Sequence, residues 1–163
     1  MSLSRQLLDR WTPRALGVLR VVSSFLYLQH GTAKLFHVPH VAMFDQLKLL
    51  SVDGCAGVLE VVGSLLVLAG LFTRPVAFLL SGEMAVAYFT VHAQQGHVLA
   101  PSLNGGELAV LYCFIFLFLA AAGGGSWSVD GLLARKRSGA EFSEPRENRG
   151  APGTAALTSF FRP

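Results

Sequence analysis

Seven ionisable side chains lie inside, or at the ends of, long apolar stretches of this sequence. They are Arg20, His30, Lys34, Glu60, Glu83, His92 and Glu107. A charged group at the centre of a bilayer costs about 2.5–3.5 kcal/mol on insertion scales, so such groups are normally paired, hydrated or functional. Acidic, basic and imidazole groups held away from bulk water can bind polar ligands or transfer protons. These seven residues are therefore the candidates for chemistry.

Five of the seven are predicted to lie at the outward-facing ends of the apolar segments, where they would form an outer cluster. They are Lys34, Glu60, Glu107, His30 and His92. One interpretation is a salt bridge from Lys34 to Glu60 or Glu107 that fixes the helices relative to each other. The other is a ligand-binding or partner-binding site that opens outward, for a quinol, a small polar solute or a proton. The sequence leaves both interpretations open.

Arg20 and Glu83 are predicted to form a structural ion pair on the opposite side. At 1.5 Å per residue, Arg20 lies about 10 Å and Glu83 about 12 Å from the ends of their helices near Pro13 and Pro75. Groups at the same depth in neighbouring helices can neutralise each other.

The sequence gives little support for a metal site or for a cofactor bound by this chain. Cys55 and Cys113 form no CxxC pair, and the chain has no ligand spacing typical of a zinc site, so no metal site is predicted. His30 and His92 could in principle be the two axial ligands of a haem, but nothing else in the sequence supports a haem. There is also no nicotinamide or flavin fingerprint and no nucleophile with its base. A quinone remains open as a ligand, and no catalytic residue is assigned.

The elements that must position these groups are long apolar helices. The chain has 163 residues, of which 52% are hydrophobic and 14% charged, which is too apolar for an ordinary soluble domain. A bilayer core about 30 Å thick needs roughly 20 helical residues, and four segments qualify. They are residues 15–36, 54–72, 75–91 and 106–122. The predicted fold is all-α, a bundle of four transmembrane helices with antiparallel up-down topology.

The distribution of basic residues predicts the orientation. Four spans place both termini and the second loop on one side, which collects nearly all Lys and Arg residues, whereas Lys48 stands alone on the other side. The positive-inside rule then makes both termini cytoplasmic, in a multi-pass protein of the plasma (inner) membrane. The net charge of +3 does not indicate nucleic-acid binding, because the basic residues gather at the chain ends and are not interleaved with aromatic residues.

Three regions follow along the chain. Residues 1–13 alternate leucines with charged residues and are predicted to lie at the inner membrane interface. Residues 14–133 form the membrane domain. Residues 134–163 mix Arg, Glu, Gly, Pro and Ser, and are predicted to be a disordered cytoplasmic tail.

Several motifs resemble the DoxX family. They are HGTAKLF at 30–36, LE at 59–60 followed by a Gly-rich run and LFTR at 71–74, GGE at 105–107, and GSWSVDGLL at 125–133. The resemblance covers about residues 15–133. It implies a four-helix membrane bundle, in a family related to the small membrane subunit of thiosulfate:quinone oxidoreductase and linked to redox or stress functions. It carries over Lys34, Glu60 and Glu107, which lie inside the matching motifs, but implies no established reaction.

Three functions remain in view. The first is an accessory subunit of a quinone-linked redox complex, in which an oxidoreductase partner supplies the cofactor and this chain alone is not an enzyme. The second is a transporter of a small solute, or one coupled to protons, in which a homo-oligomer completes the walls of the pathway. The third is a purely structural membrane scaffold. In each case the lipid bilayer is a partner.

Overall fold

The computed structural model describes residues 3–143, and the side chains of residues 5–136. This part of the chain is all helical and contains no strand. The helices are α1 (Leu3–Phe36), α2 (Val52–Ala69), α3 (Thr73–Ala87), α4 (Glu107–Ala122) and α5 (Val129–Ser143). A π-helical turn, Tyr88–His92, extends α3, and short 3₁₀ turns occupy the loops.

Helix α1 is longer than the predicted first span. It runs unbroken from Leu3, although Pro13 lies within it and removes one intrahelical hydrogen bond. The Pro13 carbonyl oxygen also accepts a hydrogen bond from the Ser126 amide at 2.8 Å, which joins the loop after α4 to α1. The segment 1–13, predicted as a separate interfacial element, therefore belongs from residue 3 onward to the same helix as the predicted first span.

A tight turn joins α2 to α3. Gly70 adopts a left-handed conformation (φ 71°) after α2, and the Leu71 and Gly70 amides donate to the carbonyls of Leu66 and Val67. This is the Schellman arrangement, which favours glycine because a side chain is strained there. The turn therefore connects α2 to α3 within three residues.

The core lies where α1 packs on α2 and α3 packs on α4. It includes Tyr27 of α1, Val67 of α2, Leu80 of α3 and Phe116 of α4, all at most 1% exposed. Large apolar side chains on the opposite faces are exposed, among them Val62 at 51%. Apolar residues both inside and outside are expected of helices surrounded by lipid.

Two helical segments in the described part of the chain are long and apolar enough to cross a membrane. They are Val52–Ala69 and Thr73–Gln95, and α4 is a shorter apolar helix. These elements lie close to the predicted spans 54–72, 75–91 and 106–122. The predicted disorder from residue 134 differs from the structure over its first ten residues, where α5 continues to Ser143; residues 144–163 lie outside the described part.

Gly31 sets how closely α1 approaches α2. A methyl group at Gly31 would lie 2.8 Å from the backbone nitrogen of Val61, so Gly31→Ala must push the two helices apart. We expect this variant to lose about 1–3 kcal/mol of stability, as overpacked sites do. Thermal melting of the purified protein in detergent measures the effect.

Gly82→Ala is the matched control for that prediction. Gly82 also lies inside a helix, but no atom stands within 4 Å of the position its methyl group would take. Alanine is the better helix former by about 0.8–1 kcal/mol, so Gly82→Ala should melt at or above the temperature of the natural chain. Equal melting temperatures for the two variants would show that Gly31 is not a contact point.

Candidate functional site

A buried ion pair joins α1 to α2. Lys34 Nζ lies 2.7 Å from Glu60 Oε1, and the Glu60 side chain is 2% exposed while that of Lys34 is 15% exposed. Gly57, one turn before Glu60, provides the space, because a methyl group there would lie 3.1 Å from Lys34 Cβ. Of the two acids that the sequence left open as partners of Lys34, the structure pairs it with Glu60.

A second acid from α3 reaches the same region. The Tyr27 hydroxyl donates a hydrogen bond to Glu83 Oε2 at 3.2 Å. Tyr27 lies one helical turn before Gly31, and a methyl group at Gly31 would lie 2.9 Å from Glu60 Cβ, so both acids face the same part of α1. Ser64, one helical turn after Glu60 on α2, is also fully buried. We call Tyr27, Lys34, Glu60, Ser64 and Glu83 the central polar cluster.

Three oxygen atoms of the central polar cluster are buried without a hydrogen-bond partner in the described part of the chain. They are Glu60 Oε2, Ser64 Oγ and Glu83 Oε1. A buried polar atom left unpaired costs about 1–3 kcal/mol. Unpaired buried groups of this kind are rare in folded proteins. The cluster can therefore accept hydrogen bonds from a bound molecule.

Aromatic rings line the cluster on the side of α4. The Tyr27 ring lies 5.0 Å from the Tyr112 ring and 4.9 Å from the Phe116 ring, measured between centroids. The exposed His30 packs edge-on against Tyr112 at 5.9 Å. Ring pairs at these separations stabilise each other and present flat apolar surfaces. These rings make the seam between α1 and α4 aromatic.

His92 and Glu107 have different surroundings from Lys34 and Glu60. His92 lies in the π-helical turn, where its Nδ1 is 3.2 Å from the Asn104 carbonyl oxygen and its ring stacks on Tyr88. Glu107 is exposed at the start of α4 and forms no ion pair within residues 5–136. The outer cluster of five is thus divided, with Lys34 and Glu60 in the central polar cluster and His30 against its aromatic wall.

The predicted ion pair between Arg20 and Glu83 is absent from the described residues. Arg20 is 1% exposed, and its guanidinium donates only to backbone carbonyl oxygens. Nε reaches Gly124 at 2.8 Å, Nη1 reaches Val67 at 2.6 Å and also Leu68, and Nη2 reaches Trp127 at 3.2 Å. We call this arrangement the Arg20 clasp. The prediction is wrong because the guanidinium donates its hydrogen bonds to these backbone carbonyl oxygens. Glu83 instead accepts a hydrogen bond from the Tyr27 hydroxyl.

Asp130 lies at the end of the molecule where the Arg20 clasp joins α1, α2 and the loop after α4. Its carboxylate accepts hydrogen bonds from the Phe72 and Thr73 amides, both at 2.9 Å, and so caps the first turn of α3. Burial alone would raise the pKa of Asp130, but the amide hydrogen bonds from Thr73 and Phe72 and the charge of Arg20 outweigh it and lower the pKa. A carboxylate that stays ionised here stabilises the α2–α3 turn.

Sequence reasoning missed two important residues. Asp130 lies within the GSWSVDGLL motif, so its position was marked although its role was not. Tyr112 lies on an apolar helix with little periodicity, where the sequence does not distinguish a residue beside a polar cluster from any other core aromatic. Ser64, by contrast, shares one small and polar stripe of the second predicted span with Glu60 in the sequence. No three His, Cys, Asp or Glu side chains among the described residues are grouped so that they could hold a metal ion.

Comparisons with known proteins agree with the motifs. The model of the family described as DoxX matches residues 15–93. An uncharacterized protein of Haemophilus influenzae (strain ATCC 51907 / DSM 11121 / KW20 / Rd) is 41% identical over 136 residues, covering 79% of this chain and 98% of the relative. No solved structure is a significant match to the chain. The matched span includes Tyr27, Lys34, Glu60 and Glu83.

Proposed function

The chain belongs to the DoxX family, and from that premise we propose that this membrane protein binds a quinol head group in the central polar cluster, as the accessory subunit of a quinone-linked redox complex. The observation that carries the proposal is the set of buried, unpartnered acceptor atoms beside the Lys34–Glu60 pair.

We propose that α1, α2, α3 and α4 cross the plasma membrane in alternating directions, with both termini in the cytoplasm. The tight α2–α3 turn and the exposed apolar side chains of all four helices support this topology. At 1.5 Å per residue, the 34 residues of α1 span about 51 Å, so its N-terminal part extends beyond the hydrocarbon core. In this topology Arg74, in the first turn of α3, lies on the side of Arg5, Arg10 and Arg14, in accord with the positive-inside rule.

The chemistry of the cluster favours a ligand that donates hydrogen bonds. A quinol carries two hydroxyl groups on a flat ring, which suits the free oxygens Glu60 Oε2 and Glu83 Oε1 beside aromatic walls. Oxidation of a quinol releases two protons and two electrons. Carboxylates next to the hydroxyls can accept the protons, and the electrons would pass to a redox group of the partner subunit.

Quinone content tests this function directly. We expect the natural chain, purified in mild detergent, to retain quinone that is detected after extraction by chromatography and mass spectrometry. Glu60→Gln should retain roughly tenfold less, because hydrogen bonds to charged groups contribute about 1.5–3 kcal/mol. Thermal melting shows whether the variant is folded.

Glu107→Gln is the matched control, since it makes the same change at an exposed acid outside the central polar cluster. It should keep the full quinone content. Equal quinone in the natural chain and in folded Glu60→Gln would refute quinol binding at the cluster. The same purification also tests the partner, because an accessory subunit should copurify with an oxidoreductase subunit, whereas a chain recovered without one contradicts that role.

One observation favours transport as a second function. Polar residues follow one face of α1 from Arg20 through Ser24 and Tyr27 to Lys34, and Ser24 Oγ donates to the Arg20 carbonyl at 2.7 Å. Such a row can carry protons or a small solute across part of a bilayer. Flux into liposomes that disappears in Glu60→Gln, without any bound quinone, would establish transport. If the chain is a structural scaffold, Glu60→Gln should lower its stability, with no flux or bound quinone to lose.

A further inference from the structure

An apolar groove lies along α1 beside the loop between α4 and α5. It is an open groove of about 520 Å³, and its walls are almost wholly apolar. Val18 and Val22, each about half exposed, line it together with Trp11 and Trp127. Arg14 supplies the charged group of the lining. The groove is separate from the central polar cluster.

Trp127 is held in place at the groove by its backbone. It adopts a left-handed conformation (φ 59°) that is costly for a residue with a side chain, and the residue is 69% exposed. The Trp127 carbonyl accepts a hydrogen bond from Arg20, and the neighbouring Ser126 amide binds the Pro13 carbonyl. The loop is therefore fixed to α1, and this wall of the groove exists before any ligand binds.

Arg14 can bind an anion at the groove. Its guanidinium lies 5.4 Å from the centre of the Trp11 ring, and Nη1 donates to the Arg10 carbonyl oxygen at 3.2 Å. A guanidinium has five N–H donors, so most of them remain available. Arg10 is one turn away on the same face, and Asp9 is the lone acid among residues 5–14. This end of the groove therefore has positive potential.

We propose that the groove binds an anionic phospholipid, with the phosphate on Arg14 and an acyl chain along Val18 and Val22. Charge complementarity selects this occupant, because an apolar trough that ends at a guanidinium matches a chain that ends at a phosphodiester. The two tryptophans suit the boundary between acyl chains and head groups. The proposal is independent of quinol binding.

Lipid titration of the full chain, followed by native mass spectrometry, tests the site. Phosphatidylglycerol and phosphatidylcholine with identical acyl chains serve as probes. We expect about a fivefold preference for phosphatidylglycerol, since each basic residue near a membrane contributes about 1 kcal/mol toward anionic lipid. Arg14→Gln should bind phosphatidylglycerol and phosphatidylcholine about equally. Arg74→Gln removes an exposed arginine of α3 and should leave the preference unchanged.

Filling the groove provides a second, independent test. Val18→Trp should reduce the binding of both lipids, while its melting temperature without lipid reports on folding. Inorganic phosphate should not displace phosphatidylglycerol, because the acyl chain contributes to binding. The proposal is overturned by equal binding of both lipids to the natural chain, by an unchanged preference in Arg14→Gln, by displacement with phosphate alone, or by a dimer that dissociates when Val18 becomes Trp.

Discussion

Replacing Arg20 with methionine should destabilise the folded protein by at least about 3 kcal/mol, because four carbonyl oxygens would lose a hydrogen bond from the guanidinium at once and a hydrogen bond to a charged group contributes about 1.5–3 kcal/mol. Those oxygens belong to α2 and to the loop after α4, which the Arg20 clasp holds together with α1. Methionine is chosen because it fills a similar space without donating a hydrogen bond. Denaturant unfolding in detergent, followed by tryptophan fluorescence, measures the loss.

Two further variants separate the hydrogen bonds of Arg20 from its charge. Arg20→Lys keeps the charge but cannot reach acceptors on both sides, so we expect an intermediate loss of stability. Arg74→Met removes an exposed arginine and should change stability by less than about 0.5 kcal/mol. If Arg20→Met unfolds at the same denaturant concentration as the natural chain, the clasp does not stabilise the fold.

The Arg20 clasp also shows why the predicted pair with Glu83 failed. Depth along a helix follows from residue count, and by that measure the two groups could meet. Backbone carbonyl oxygens do not appear in a sequence pattern, yet those in the last turn of α2 lack their usual helical donors four residues on, and Gly124 in the next loop adds another acceptor. Arg20 binds these, and Glu83 binds Tyr27, two turns further along α1.

Other features could be predicted because composition or helical period determines them. The excess of apolar residues indicated an all-α membrane protein, and the motifs indicated the DoxX family, which the comparisons confirm. Local sequence features, such as a proline or a run of charged residues, predicted the helix boundaries less well. Pro13 suggested a helix boundary, but α1 continues through it with the loss of one hydrogen bond. The charged residues after 134 suggested disorder, but α5 continues there.

The candidate site could be predicted in part. Lys34 and Glu60 lie on the stripes of α1 and α2 that carry small and polar residues, so their meeting follows from helix packing through Gly31 and Gly57. The choice of Glu60 over Glu107 required the structure, because sequence period alone does not say which helix faces α1. The unpartnered oxygens of the central polar cluster likewise follow only from coordinates.

Lys34→Met should cost about 3–5 kcal/mol of stability, because it leaves the Glu60 charge buried without its partner. Glu60→Met should cost less, since Lys34 is partly exposed and its flexible chain can move the ammonium toward water. The double variant should recover most of the loss of Lys34→Met, because apolar residues can replace a buried ion pair at little cost. Unfolding of all four proteins under one set of detergent conditions gives the coupling energy.

The recovered stability of the double variant separates structure from binding. If the pair only joins α1 to α2, a stable double variant should keep whatever the natural chain binds. If Glu60 also accepts a hydrogen bond from a ligand, the double variant should be stable yet empty of quinone, because methionine cannot replace Glu60 Oε2. Simple additivity of the two single losses would contradict a direct Lys34–Glu60 interaction, and a stable double variant that retains quinone would make the pair purely structural.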